Sequence, residues 1–213
     1  MVISVKFTVF VVPVSFIVLF TSCVTAPVKM QESTGTEESK RLEIVQYAQS
    51  LLGQKDLSQI NGWFRNDCSG YILGVYHSLG YHVVLLQNPS TDKISLALYH
   101  SLNKNHLAYN SGVPNRADLV FFKGTIDESR DEISHVGIVA DVLHDGTVFI
   151  LNYTSRGVTA LRMNLITPSI YKDEYGTVKN DYLKKKSSFS KSEKLLSGEL
   201  FFCFGDLFKY AAL

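Results

Sequence analysis

The chain has 213 residues, 46% hydrophobic and 19% charged, which suits one globular domain and excludes two large ones. Its 21 basic and 20 acidic residues leave a formal net charge of +1, which excludes a nucleic-acid binder that relies on bulk positive potential. Three cysteines exclude a disulfide-dense scaffold.

Residues Phe7 to Phe20 form an apolar run interrupted only by Thr8, Pro13 and Ser15, with Lys6 the one charge before it. The run is short of the roughly 20 residues of a spanning helix and fits the apolar region of a secretory signal. It closes on Leu19-Phe20-Thr21-Ser22-Cys23, small residues directly before a cysteine, which resembles a bacterial lipobox. The expectation is a signal peptide over 1–22, lipidation at Cys23, and a flexible tether over 23–38, a stretch without apolar periodicity and rich in Ser, Thr and Glu. An ordinary secretory peptide cleaved near Ala26 is the alternative. The lipid on Cys23 would be the contact with a membrane and would hold the domain in the bacterial cell envelope. In an organism with two membranes, that means the outer membrane and periplasm.

The remainder, 39–213, reads as helices followed by strands. Ser39 caps a predicted helix in which Ile44, Val45, Ala48, Leu51 and Leu52 share a face, with Gly53 as its stop. Asp67 is the predicted N-cap of a second helix whose inner face carries Cys68, Ile72, Val75, Tyr76 and Leu79. A third is predicted from near Thr91 through Ile94, Leu98 and Leu102. Strands are predicted over 117–122, 135–142, 147–153, 158–165 and 199–204, with Asp145-Gly146 as a hairpin turn. Residues 166–196 read as a surface excursion. The order of elements predicts an α+β domain with an antiparallel sheet.

One cysteine and one histidine carry the candidate chemistry. At the first position of a helix, Cys68 meets backbone N–H groups that have no intrahelical partner and the positive end of the dipole, and both favour thiolate. An ionised Asp67 facing the sulfur would oppose this, whereas Asp67 acting as a cap would turn to the helix amides. His135 opens a strand and supplies a proton acceptor. If Asp145-Gly146 is the hairpin turn, Asn152 returns beside His135 and can accept a hydrogen bond that fixes the imidazole tautomer. A cysteine at a helix start also serves elsewhere as a small buried apolar residue. A Cys68–Cys203 disulfide would remove the nucleophile altogether.

The local strings bear on that choice. Asp67-Cys68-Ser69-Gly70-Tyr71-Ile72 with Val75-Tyr76 resembles the nucleophile segment of NlpC/P60 cell-wall peptidases. Ala117-Asp118-Leu119-Val120-Phe121-Phe122 resembles the family's "GDLVFF" strand, with Ala117 where glycine is usual. His135-Val136-Gly137-Ile138-Val139, followed by Asp145-Gly146-Thr147-Val148, resembles its histidine strand and hairpin. The three motifs span roughly residues 42–165. The resemblance implies a papain-like fold and a catalytic set of Cys68 as nucleophile, His135 as general base and Asn152 as the third residue, where many members have a second histidine. It implies Trp63 and Ser69 as substrate-binding candidates, although Asn61 to Asn66 lacks the tyrosine of the family's "Y-x-W-G-G" stretch.

The activity so implied is hydrolysis of amide bonds in peptidoglycan stem peptides through a thioester, by a monomer with no metal, cofactor or nucleic-acid partner. The acidic stretch Asp127, Glu128, Asp131 and Glu132 reads as a solvated loop. The rival readings are a related CHAP-like amidase, an acyltransferase of the same fold, and a non-catalytic wall-binding lipoprotein.

Overall fold

The computed structural model describes residues 31–86, 94–126, 132–184 and 194–212. The expected export signal, the lipidation candidate Cys23, the first part of the expected tether, the expected start of the third helix near Thr91 and most of the acidic stretch before His135 lie outside the described residues.

Helix α1 (Gln31–Ser50) begins eight residues before Ser39, so the second half of the expected tether is helical. Charge pairing, one pair within the helix and one across the chain, accompanies the difference. Glu37 takes Arg41 at 2.9 Å one turn on, and Glu38 takes Arg116 at 2.8 Å from across the chain. The helix buries Arg41, Ile44, Val45 and Ala48. Leu52, expected on that face, is exposed because the helix stops at Ser50 and Gly53 turns the chain at φ +84°.

Helices α2 (Cys68–Ser78) and α3 (Ile94–Lys104) follow as expected. The strands are β1 (Ala108–Tyr109), β2 (Leu119–Lys123), β3 (Ile133–Val142), β4 (Thr147–Thr154), β5 (Gly157–Asn164) and β6 (Phe201–Gly205). Two short helices complete the set, α4 (Ser197–Leu200) and α5 (Leu207–Ala211), and α4 takes up the first residues of the strand expected from Glu199. The six strands form one sheet in the order β1-β6-β2-β3-β4-β5, with each neighbouring pair antiparallel. The molecule is therefore a mixed α+β fold.

Both faces of the sheet are covered, which is why β2 reads Leu-Val-Phe-Phe without a polar residue. One face packs Leu119, Phe121, Val136, Ile138 and Leu151 under the first three helices. The other packs Val120, Phe122, Val139, Ile150, Met163 and Phe204 beneath α4. The described part of the 166–196 excursion folds back onto β5. Asn180, fully buried, donates to the Thr167 and Ile170 carbonyls and accepts from the Asn164 amide at 2.8 Å, so this part is pinned to the domain.

One buried charge cluster ties the ends together. Arg41 spans Asp118 at 2.9 Å and both oxygens of Asp206 at 2.8 Å, and its guanidinium lies 4.7 Å from the centre of the Phe208 ring. Asp118 also accepts from the Tyr109 hydroxyl and the Asn115 amide. The residue before it, Ala117, is fully buried at φ +66°, and the Tyr76 hydroxyl donates to its carbonyl at 2.7 Å. The family motif has glycine here for a physical reason, since left-handed backbone penalises any Cβ.

Candidate active site

Asp67 holds the start of α2. Its backbone is extended, and its carboxylate accepts from the Gly70 amide at 2.7 Å, the Ser69 hydroxyl at 2.6 Å and the Arg65 guanidinium at 2.9 Å. Burial works against ionisation here, but the hydrogen bonds from Arg65, Ser69 and Gly70 outweigh it and hold Asp67 below the usual carboxylate range. The loop from Asn61 to Asn66 lies tight against the helix. A Cβ at Gly70 would fall 2.5 Å from Cβ of Arg65, and one at Gly74 would fall 2.2 Å from the Phe64 ring. The bareness of Gly70 therefore admits the chain's own backbone at this point.

Cys68 is the first residue of α2, half-buried, with its thiol free, as is the buried thiol of Cys203. Pairing between β3 and β4 runs from Val142–Val148 to Ile138–Leu151 and stops there. Beyond that rung the backbone amides of Val136, Ser69 and Cys68 itself are close enough to the Cys68 sulfur to favour its charged form. The thiol thus lies by the backbone of Val136, the residue after His135, while the His135 ring has its hydrogen bond with Asn152 and none with the sulfur.

His135 and Asn152 occupy the facing strands. The imidazole Nε2 lies 3.0 Å from the Asn152 Oδ1. Asn152 is fully buried, and its amide nitrogen donates to the Thr159 carbonyl at 3.0 Å on β5, which turns Oδ1 toward the imidazole. Nε2 must then carry the proton, and Nδ1 is left as the basic nitrogen. Gly137 makes this approach possible. A Cβ there would lie 2.5 Å from Ile150 Cγ2, 3.0 Å from the Leu151 carbonyl oxygen and 3.4 Å from the Asn152 Cβ.

The electrostatics differ from the expectation of a preformed thiolate. Burial pushes the Cys68 thiol up to about 11, the amide of Val136 works against that, and the charge on Asp67 adds to it. Burial likewise lowers His135 below its ordinary value, with the Asn152 hydrogen bond only partly offsetting this. Both groups are neutral at pH 7. The helix terminus helps the sulfur, but the loss of water outweighs it.

Of the two substrate-binding candidates, Trp63 lies on the surface beside the far end of α2 and Ser69 lies in the cap at its start. Trp63 is 54% exposed and stacks on His77 with ring centres 4.6 Å apart. His77 lies in the last turn of α2, nine residues and roughly 13 Å along the axis from Cys68. Ser69 is buried, and its hydroxyl is committed to Asp67, so it belongs to the cap and cannot reach a substrate. Two positioning residues, Gly137 and Thr159, were not singled out from the sequence. The glycine two residues after the histidine was the available signal for the first. Thr159 had none, because its role depends on strand register.

The chain matches no family model, no curated protein and no solved structure.

Proposed function

We propose that the protein is an exported cysteine peptidase of NlpC/P60 type, with a papain-like fold, that hydrolyses amide bonds in peptidoglycan stem peptides. The observation that carries this reading is the contact between His135 and Asn152 beside a free cysteine at a helix N-terminus. The three local strings that resemble the family supply exactly these residues in chain order, and lipidation at Cys23 in the cell envelope agrees with the substrate. Nδ1 of His135 takes the proton from the Cys68 thiol as the sulfur attacks the scissile carbonyl. Asn152 steadies the imidazolium through Nε2–H. The Cys68 backbone N–H, without an intrahelical partner, is a donor for the developing oxyanion. The C–N bond then breaks, the amine leaves with the proton from His135, and water hydrolyses the thioester to a carboxylate and the free thiol.

The direct test incubates purified peptidoglycan with the protein and with its Cys68→Ala variant and reads released fragments by mass spectrometry. The expected result is peptide fragments from the unaltered protein and a loss of at least about a thousandfold in the variant. No fragments from either would overturn the reading.

Gly137→Ala tests the positioning of the pair. The added methyl forces β4 away from β3, so turnover should fall about tenfold or more while melting shows a cost of about 1–3 kcal/mol from overpacking. Unchanged turnover would show that the His135–Asn152 contact is dispensable.

A further inference from the structure

The outer edge of β5 carries a gap. Along an antiparallel edge strand, backbone pairs that point inward and outward alternate. Val158 points outward and is satisfied by the chain itself, its N–H donating to the Gln54 carbonyl and its carbonyl accepting from Gly53, both at 2.9 Å. Arg162 points the same way, its N–H bonded to the Asp181 carboxylate at 2.7 Å and its carbonyl accepting from the Asp181 amide at 2.9 Å. Ala160 lies midway and has the same orientation. Its N–H and C=O meet no described residue, and the residue is exposed.

The gap opens into a groove of about 470 Å³. Asn152, Thr159 and Leu161 line it from the sheet, and Tyr171 and Tyr182 from the excursion, with ring centres 4.9 Å apart. Arg156 also lines it, exposed, and no described residue pairs with its guanidinium. From Val158 to Arg162 is about 14 Å of strand, room for a segment of about three residues and too little for a strand of a folded partner.

We propose that this groove is a substrate subsite, in which a short extended peptide pairs with the backbone of Ala160, sets a carboxylate on Arg156 and lies along Tyr171 and Tyr182. The inference rests on the peptidase reading for what the peptide is, and it identifies the preferred substrate as a stem peptide with a free carboxylate on the part held along β5. Strand addition supplies affinity through main-chain hydrogen bonds, and the arginine fork supplies selectivity.

The test uses the full chain carrying Cys68→Ala, so that nothing is turned over, and titrates it with the tetrapeptide L-Ala-γ-D-Glu-L-Lys-D-Ala and its amidated form. Binding is followed by calorimetry and by the backbone-amide NMR signal of Ala160. Arg156→Gln is expected to weaken the acidic peptide about tenfold and leave the amidated one unchanged, with Arg156→Lys recovering part of the loss. Ala160→Pro, tolerated on an edge strand, removes the N–H and is expected to weaken both peptides about tenfold. No binding, an unmoved Ala160 signal, or equal affinities across these variants would overturn the subsite. Cleavage of peptidoglycan with such equal affinities would sink the subsite and leave the peptidase. Binding at Ala160 without cleavage by the unaltered protein would do the reverse.

Discussion

Arg41→Met is expected to cost about 3–5 kcal/mol of stability, the usual penalty for removing one partner of a buried ion pair. Urea unfolding checks it. The residue is 1% exposed and answers two carboxylates, on Asp118 at 0% and Asp206 at 6%. Burial lowers the guanidinium's proton affinity, but the charges of Asp206 and Asp118 outweigh it and raise it above the ordinary value, so it stays charged. Methionine fills much of the volume yet leaves two carboxylates facing each other without a cation. Burial already pushes Asp118 above the usual carboxylate range. A carboxyl raised in the folded state destabilises at pH values above its folded pKa and is relieved as the pH falls through it. The deficit should therefore be largest at neutral pH and shrink toward pH 4. Adding Asp118→Asn and Asp206→Asn should recover most of it. A loss below about 1 kcal/mol at pH 7 would show that water reaches the cluster.

The second large effect concerns Cys68. With the thiol pushed up to about 11 and His135 held below its ordinary 6.5, the resting pair is neutral. Alkylation of Cys68 by iodoacetamide should be slow at pH 7 and climb about tenfold per pH unit up to pH 10, as the thiolate fraction does. Turnover should behave otherwise. It requires His135 unprotonated, so it should rise through a pKa below 6.5 and then stay level across the neutral range. Alkylation that is already fast and flat from pH 5 to 8 would mean an ion pair formed in the free enzyme. Cys203, pushed up to about 12 by burial, should not react under the same conditions, so with Cys23 lipidated or replaced the labelling reads Cys68.

The elements that carry the site were legible because their signals are local. Asp67 before an apolar helical face fixes the start of α2, and Asp145-Gly146 fixes the hairpin, which in turn sets Asn152 against β3. The resting charge of Cys68 was not legible. Whether the helix dipole or burial prevails depends on which strand closes over the sulfur, and nothing near residue 68 encodes that. Trp63 misled for a similar reason. Its place in the sequence, five residues before the nucleophile, suggested nearness, but the loop runs back along α2 with Phe64 on Gly74 and carries the indole to His77. The Glu37–Arg41 spacing was readable on the helix, but the pairing of Glu38 with Arg116, 78 residues away, was hidden.

The sheet order has a consequence for how the chain reaches this state. The strand latest in sequence, β6, lies between β1 and β2, near the middle of one half of the sheet. Until residue 201 has emerged from the ribosome, β2 has an unpaired edge and β1 has no sheet to join. The early chain can assemble only the β2-to-β5 meander, and the flank that closes last presents Val120, Phe121 and Phe122 to any strand that arrives first. Folding of this topology waits on contacts between residues far apart in sequence, and so it is slow and late. Until synthesis ends, that open edge is the part of the chain most exposed to mispairing.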